Sequence, residues 1–206
     1  LYKKKEIFMK KGIISLLTLM LVISINCAAG QGGLKVEVTN DSETTQSAKR
    51  AAQKSLDETL GQTVQAVNVT IEKITVRHKT DEGNETVTIT DEAKAVNLLD
   101  VLGNATEEIG STDLEAGDYT EIRIQVAEDN TIVFEGDETE YALKIPSGTS
   151  SGIKIKTSFA VVDGEDTELV LDFNAAESIT EKGQGEYNLS PVIKVKEKKE
   201  PGEEDE

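Results

Sequence analysis

Hydrophobic and polar residues alternate over much of the chain from residue 34 onward, which is typical of half-buried β-strands. The clearest alternations cover residues 34–38, 67–71, 122–126, 141–145 and 169–173. Ile74 and Val76 continue the pattern of 67–71 one place out of phase. The extra residue at Glu72 and Lys73 therefore predicts a β-bulge.

Turn sequences separate these runs, as expected for short strands joined by hairpins. They include residues 81–84, 128–130, 163–166 and the Gly-rich 182–185. The pattern predicts about eight to ten strands, at the spacing seen in β-sandwiches and barrels. Residues 95–102 fit either a strand or one helical turn.

One segment has a different period. Ala48, Ala52, Leu56 and Leu60 recur every four residues, and Gly61 follows as a natural stop, which predicts a short amphipathic helical insertion at about 46–61. No regular alternation of strands and helices is visible, so a doubly wound α/β fold is not expected. We predict an all-β fold, a single β-sandwich domain over residues 34–196.

The N-terminus has the pattern of an export signal. The first eleven residues include five lysines. An uncharged run of 14 residues follows at 12–25, which is too short to span a bilayer comfortably. Translation from Met9 would give a more typical signal; the alternative is that Leu1 is a literally translated start codon.

Cys27, the only cysteine, directly follows the apolar run and resembles the lipidated first residue of a mature bacterial lipoprotein. Ser24, Ile25 and Asn26 depart from the usual lipobox, Asn26 most of all. We predict a signal peptide at 1–26, lipidation at Cys27 and a spacer through residue 33. The alternatives are a plain secretory signal cut after Ala29, or a buried structural thiol.

The charge balance limits the partners. The chain has 39 acidic and 22 basic residues, a net charge of −17, and removal of 1–26 would leave 38 acidic against 17 basic residues, or −21. Nucleic-acid binders usually present a basic face, so no nucleic-acid partner is expected. Anionic lipids would repel such a chain, so membrane attachment is expected through acyl chains. The charge is interpreted as a source of solubility and resistance to aggregation, and the alternative is a surface for cations or cationic partners.

Six segments in order resemble the domain of unknown function 4382, a β-rich family of secreted proteins and lipoproteins in bacteria and archaea. The segments are AVNVTIEKI (66–74), NLLDVLG (97–103), LEAGDYTEIRI (114–124), IPSGTSSGIKI (145–155), LVLDFNAAESI (169–179) and YNLSPVIKV (187–195). The resemblance covers about 33–196 and departs near the start, where the helix intervenes. It implies an antiparallel, transthyretin-like (prealbumin-like) sandwich and an envelope location. It transfers no activity and no catalytic residues.

Within these segments several residues are expected to serve the scaffold. Gly117 and Gly148 fit turns with unusual backbone angles. Tyr119 follows such a turn and is expected to be a corner residue, and Asp172 should face away from Leu171 and Phe173.

Familiar catalytic groupings are absent from the sequence. His78, the only histidine, follows a strand and precedes a polar turn, so we expect it at an exposed strand end. No Gly-x-Ser-x-Gly motif, P-loop or dinucleotide fingerprint occurs. One Cys and one His exclude the usual zinc sites. We therefore expect no enzyme activity, no catalytic residues and no cofactor.

Carboxylates offer two weaker hypotheses. Paired acids could hydrolyse glycosides, but nothing selects two of the 39. Ca²⁺ could bind at two acidic turns, although neither has EF-hand spacing. These turns contain Asp163, Glu165 and Asp166, and Glu135, Asp137 and Glu138. Four Asn-x-Ser/Thr triplets, at Asn68, Asn84, Asn104 and Asn188, are interpreted as incidental to a Thr-rich composition.

The leading hypothesis is a lipid-anchored envelope protein with one binding or structural β-sandwich, whose partner is a glycan, an envelope protein or a host surface. It would reside in the outer membrane if the organism has one, since Ala28 is not the Asp that retains many lipoproteins at the inner membrane. The rivals are an envelope hydrolase that uses acidic residues and a structural subunit of a surface assembly. A charged tail without apolar residues, at 197–206, is expected to be disordered.

Overall fold

Strands dominate the computed structural model, which describes residues 30–40, 46–103, 105–146 and 152–202. They make up 63% of the structure, against 9% helix, so the predicted all-β sandwich is confirmed. The strands are β1 (Gln31–Thr39), β2 (Val64–Thr80), β3 (Gly83–Thr90), β4 (Lys94–Asn97), β5 (Glu107–Glu115), β6 (Gly117–Val126), β7 (Asn130–Phe134), β8 (Glu140–Lys144), β9 (Ile153–Val161), β10 (Asp166–Phe173), β11 (Ile179–Gly183), β12 (Glu186–Leu189) and β13 (Ile193–Lys199). The helices are α1 (Gln46–Leu60) and α2 (Ala175–Ser178).

The 17-residue strand β2 organises the larger sheet. Asn68 pairs with both Asn97 of β4 and Thr131 of β7, so β4 and β7 lie on opposite sides of β2. Thr75 likewise separates β3 from β6. Each flank of β2 is therefore a broken strand, β3 followed by β4 on one side and β6 followed by β7 on the other. The described residues form 13 strands, more than the eight to ten predicted.

The predicted bulge lies in β2. The register against β6 shifts between Ile71 and Lys73, which leaves Glu72 without a partner in the ladder. Ile71 and Ile74 then both point into the core, as their burial confirms.

A four-stranded sheet in the order β13-β10-β1-β5 packs over the part of the larger sheet in the order β9-β6-β2-β3. The two sheets approach at both edges, where β13 contacts β9 and β5 contacts β3. Alternate residues of each strand fill the space between them, including Val36, Ile74 and Leu171, all essentially inaccessible to solvent.

Strand direction departs from the expected purely antiparallel arrangement at two pairs. β1 pairs with β10, and β12 with β8, in parallel. The alternation of apolar residues is the same in both orientations, so the sequence could not reveal this. The transthyretin-like topology stays a prediction.

The helical insertion ends as expected at Leu60, followed by Gly61 with a φ of +69°. Leu56 and Leu60 are buried and belong to the hydrophobic core. Neither helix of the described part of the chain is long and apolar enough to cross a membrane.

The C-terminal end of the domain lies beyond the predicted boundary at residue 196. β13 continues to Lys199 and pairs with β10 as far as Glu168. Glu200 then accepts a hydrogen bond from the Ala160 N–H of β9 at 2.7 Å. The sequence predicted a tail here because these charged residues lack apolar side chains. In the structure they extend the edge strand β13 and hydrogen-bond to β9.

Candidate functional site

A groove of about 540 Å³ lies over β1, β5 and β10 of the four-stranded sheet. We call it the carboxylate groove. The other end of the same sheet is covered by the segment before β5, where the Thr39 hydroxyl donates to the Val101 carbonyl at 2.9 Å. The groove is lined by Gly33, Leu34, Lys35, Glu108, Ser111, Thr112, Asp113, Asp166, Thr167 and Glu168.

The chemistry of the groove is concentrated at one lysine and two glutamates. Parallel pairing of β1 with β10 sets Lys35 opposite Glu168. Lys35 Nζ lies 2.5 Å from Glu37 Oε1 and 4.0 Å from Glu168 Oε1. The Glu37 side chain is only 10% exposed, whereas that of Glu168 is 30% exposed.

The two carboxyl groups have opposite protonation tendencies. Burial alone would raise the pKa of Glu37, but hydrogen bonds from Lys35 and Glu168 outweigh burial and lower it. The hydrogen bond to Glu37, and then burial, raise the pKa of Glu168. The pair therefore loses its protons in two steps, Glu37 before Glu168.

This cluster can be compared with the carboxyl pair of a glycoside hydrolase. Hydrolytic carboxyl pairs stand about 5–9.5 Å apart so that a sugar or a water fits between them. In this cluster Glu37 and Glu168 shift each other's pKa and share Lys35, whose Nζ lies 2.5 Å from Glu37 Oε1 and 4.0 Å from Glu168 Oε1. The arrangement can hold a proton or contact a polar ligand.

His78 does not lie at an exposed strand end, so that prediction is wrong. β2 continues to Thr80, and His78 is 7% exposed. Its ring stacks on Tyr119 at a centroid distance of 4.6 Å, and Tyr119 stacks on Phe159 at 5.2 Å. His78 is in phase with Ile74 and Val76, so the strand carries it inward as part of the core.

Tyr119 is confirmed as a corner residue. Its hydroxyl donates to the Glu115 carbonyl, four residues upstream, at 2.9 Å. Gly117 lies between them, and a Cβ there would sit 2.6 Å from His78 Nε2. Tyr119 and Gly117 therefore close this end of the sandwich. The paired strands leave Asp172 beside Thr39 and Lys194, on the side away from the core residues Leu171 and Phe173.

The acidic turns use carboxylates for local structure. Asp163 Oδ1 accepts from the Gln31 N–H at 3.1 Å. Asp137 accepts from the Thr139 N–H at 2.9 Å and from the Tyr141 hydroxyl at 2.8 Å. In the ranges that the structure describes, no three His, Cys, Asp or Glu side chains form a group that could hold a metal ion.

Sequence reasoning missed the Lys35, Glu37 and Glu168 cluster. Its acidic members are far apart in the sequence, and they meet only because β1 and β10 pair. Cys27, the predicted lipidation site, lies outside the described residues, as do Asn104 and Gly148.

The model of one protein family, described as a domain of unknown function (DUF4382), matches residues 55–191. The chain belongs to the DUF4382 family. The match includes β2 to β12, and it begins within α1. No curated protein matches the chain, and no solved structure matches it either.

Proposed function

We propose that this DUF4382 protein is a lipid-anchored protein of the cell envelope whose sandwich is a binding module and not an enzyme. The observation that carries the non-catalytic assignment is the carboxylate pair. Glu37 and Glu168 interact with each other and with Lys35, which supports a role in binding over a role in catalysis.

The envelope location rests on the sequence before the described domain. The apolar run at 12–25 ends two residues before Cys27, and β1 begins at Gln31. Acyl chains on Cys27 would hold the sandwich close to the membrane. Gly30 packs against Asp163, where an added Cβ would lie 2.0 Å from the Asp163 carboxyl carbon.

The anchor is tested by expressing the full chain in a bacterial host and measuring the intact mass of the protein from the membrane fraction. The proposal expects cleavage before Cys27, acyl mass on Cys27, and loss of both the acyl mass and membrane association in Cys27→Ser. An unmodified mature protein in the soluble fraction would contradict the anchor.

The non-catalytic assignment is tested separately, by incubating the full chain with envelope polysaccharides and following the release of reducing ends. No release is expected. Release that is abolished by Glu168→Gln would instead establish the hydrolase alternative.

A role as a subunit of a surface assembly is the second candidate, and the strand β3 favours it. β3 pairs with β2 alone among the described strands, and only Glu85 is charged among its eight residues. Open edges of low charge can recruit a partner strand. Sedimentation of the full chain in non-ionic detergent tests this role, since Thr88→Pro should dissociate an assembly that forms through β3.

A further inference from the structure

Six basic residues share the outer face of the strands β3, β2, β6 and β9. They come from β2, β6 and β9, and we call this surface the basic face. The residues are Lys73, Arg77, Lys79, Arg123, Lys154 and Lys156.

The face follows from alternation and register. Ile74, Val76 and His78 of β2 are buried, so the residues between them point outward. Across the strands, Thr75 pairs with Arg123, and Arg123 with Lys154. Lys156 lies opposite Glu121 in the next row. From Lys73 to Lys79 the face extends about 20 Å along β2, and it is about 14 Å wide from β3 to β9.

Most of these cations lack an ion-pair partner. Arg123 pairs with Glu121 at 2.8 Å, but the other five form no ion pair with any described residue. Elsewhere Lys35, Lys94 and Lys144 each have a carboxylate partner. Glu121 shares the basic face, beside Arg123 and opposite Lys156, and its pairing with Arg123 leaves five of the six cations without an ion-pair partner among the described residues.

Like charges also face each other here. Arg123 is the direct cross-strand neighbour of Lys154, an arrangement that costs stability in an isolated sheet. Nε of Arg123 is buried and has no hydrogen-bond partner in the described part of the chain. A bound anion would relieve the repulsion between these neighbouring cations.

The remaining side chains of the face are small and polar. Thr86 and Thr88 of β3 are exposed, and Thr75 lies between Thr88 and Arg123. No exposed aromatic side chain occurs among the described residues, and Val162 is the large apolar side chain that is exposed there. The face can therefore donate hydrogen bonds to oxygen anions, but it offers no ring for base stacking and no apolar wedge for a bilayer.

We propose that the basic face binds a linear anionic polysaccharide of the envelope, with the cations on its acid groups and the threonines on its hydroxyl groups. This deepens the proposed binding function and rests on it. A linear polysaccharide bound along the basic face interacts mainly with the positive charges of that face, because the acidic surfaces elsewhere are screened beyond about 8 Å at physiological salt. An extended anionic membrane would instead face more of a molecule whose net charge is −17.

The test measures binding of polygalacturonate to the full chain carrying Cys27→Ser, so that acyl chains play no part. The face variant Arg77→Gln/Lys154→Gln/Lys156→Gln is compared with Arg50→Gln/Lys182→Gln/Lys194→Gln. Each set removes one Arg and two Lys that are exposed and form no ion pair with a described residue, so both change the net charge equally. Dextran serves as the neutral polymer.

The proposal expects binding of polygalacturonate and not of dextran, weaker as ionic strength rises from about 0.01 M to 0.15 M. The face variant should lose affinity roughly tenfold, and the control variant should bind as the parent does. Absence of binding, or equal loss in both variants, would overturn the proposal.

Two further arms separate other partners. Preferential binding to double-stranded DNA, or to phosphatidylcholine vesicles only when they contain phosphatidylglycerol, would also overturn the polysaccharide assignment. Because acylation is excluded from all these arms, failure here leaves the lipid anchor to be judged by its own mass measurement.

Discussion

The corner made by Tyr119 provides a direct test of how this end of the sandwich is held together. Tyr119→Phe removes one hydroxyl that donates to the Glu115 carbonyl, and it keeps the ring stacked between His78 and Phe159. The substitution leaves the packing of the ring unchanged. The loss of stability is therefore that of one partly buried hydrogen bond, which leaves the Glu115 carbonyl without this donor. We expect a loss of about 1–2 kcal/mol in the free energy of unfolding.

Urea denaturation of the full chain carrying Cys27→Ser measures this loss. With an m-value of about 2 kcal/mol/M, the midpoint should fall by about 0.5–1 M urea while m stays constant. Tyr141→Phe is the matched control, since Tyr141 is itself only half-buried and its hydroxyl donates to the partly exposed Asp137 carboxylate, and it should cost less.

Alkaline pH gives a second readout of the same group. Burial, with the carboxylates of Glu115 and Glu85, raises the pKa of Tyr119 to about 12, above the value of about 10 in an unfolded chain. The stability that this group contributes is therefore complete below pH 10 and is lost as the pH rises toward 12. Tyr119→Phe should remove the part of the fall in the free energy of unfolding between pH 10 and pH 12 that Tyr119 causes. If it costs no more than Tyr141→Phe and leaves the decline unchanged, the corner does not stabilise the fold as argued.

Two other substitutions probe the corner and the carboxylate groove. Gly117→Ala would place a Cβ 2.6 Å from His78 Nε2. It should lower the free energy of unfolding by about 1–3 kcal/mol more than Gly136→Ala, since Gly136 also has a positive φ but a Cβ there would have nothing within 4 Å. Equal urea midpoints for the two variants would contradict the close contact. The interaction with Glu37 raises the pKa of Glu168 in the folded protein. The stability that Glu168 contributes to the fold is therefore fully present below about pH 4.5 and is lost as the pH rises through its pKa in the folded protein. Glu168→Gln stays uncharged at pH 7, so it should raise the free energy of unfolding there by less than about 1 kcal/mol at this partly exposed site, and the increase should shrink at pH 4. A lower free energy of unfolding at pH 7 would argue against a proton shared by Glu37 and Glu168.

Local features of the fold could be predicted from the sequence because their signals are local. The change of phase after Ile71 marked the bulge at Glu72 and Lys73, and the four-residue period followed by Gly61 marked the helix and its end. His78 shows how such a signal was misjudged. It continues the inward period of Ile74 and Val76, but its polarity and the turn that follows suggested an exposed end.

Features that depend on which strands pair could not be predicted. The contact between Lys35 and Glu168 needs the parallel pairing of β1 with β10, which alternation does not encode. The basic face needs the register of three strands that bring Arg77, Arg123 and Lys154 to one side. The surface for cations or cationic partners that the net charge of −17 suggested stays a prediction, and a total charge does not reveal how the charges are distributed over the surface.

The most direct test of the binding account is to map which backbone amides change on addition of polygalacturonate. NMR spectra of the isotope-labelled full chain carrying Cys27→Ser can be recorded during such a titration. The account predicts shifts concentrated in β2, β6 and β9 around Arg77, Arg123 and Lys154, and absent from the groove at Lys35. Shifts centred on Lys35 and Glu168, or no shifts at concentrations where anionic polymer is in large excess, would contradict it.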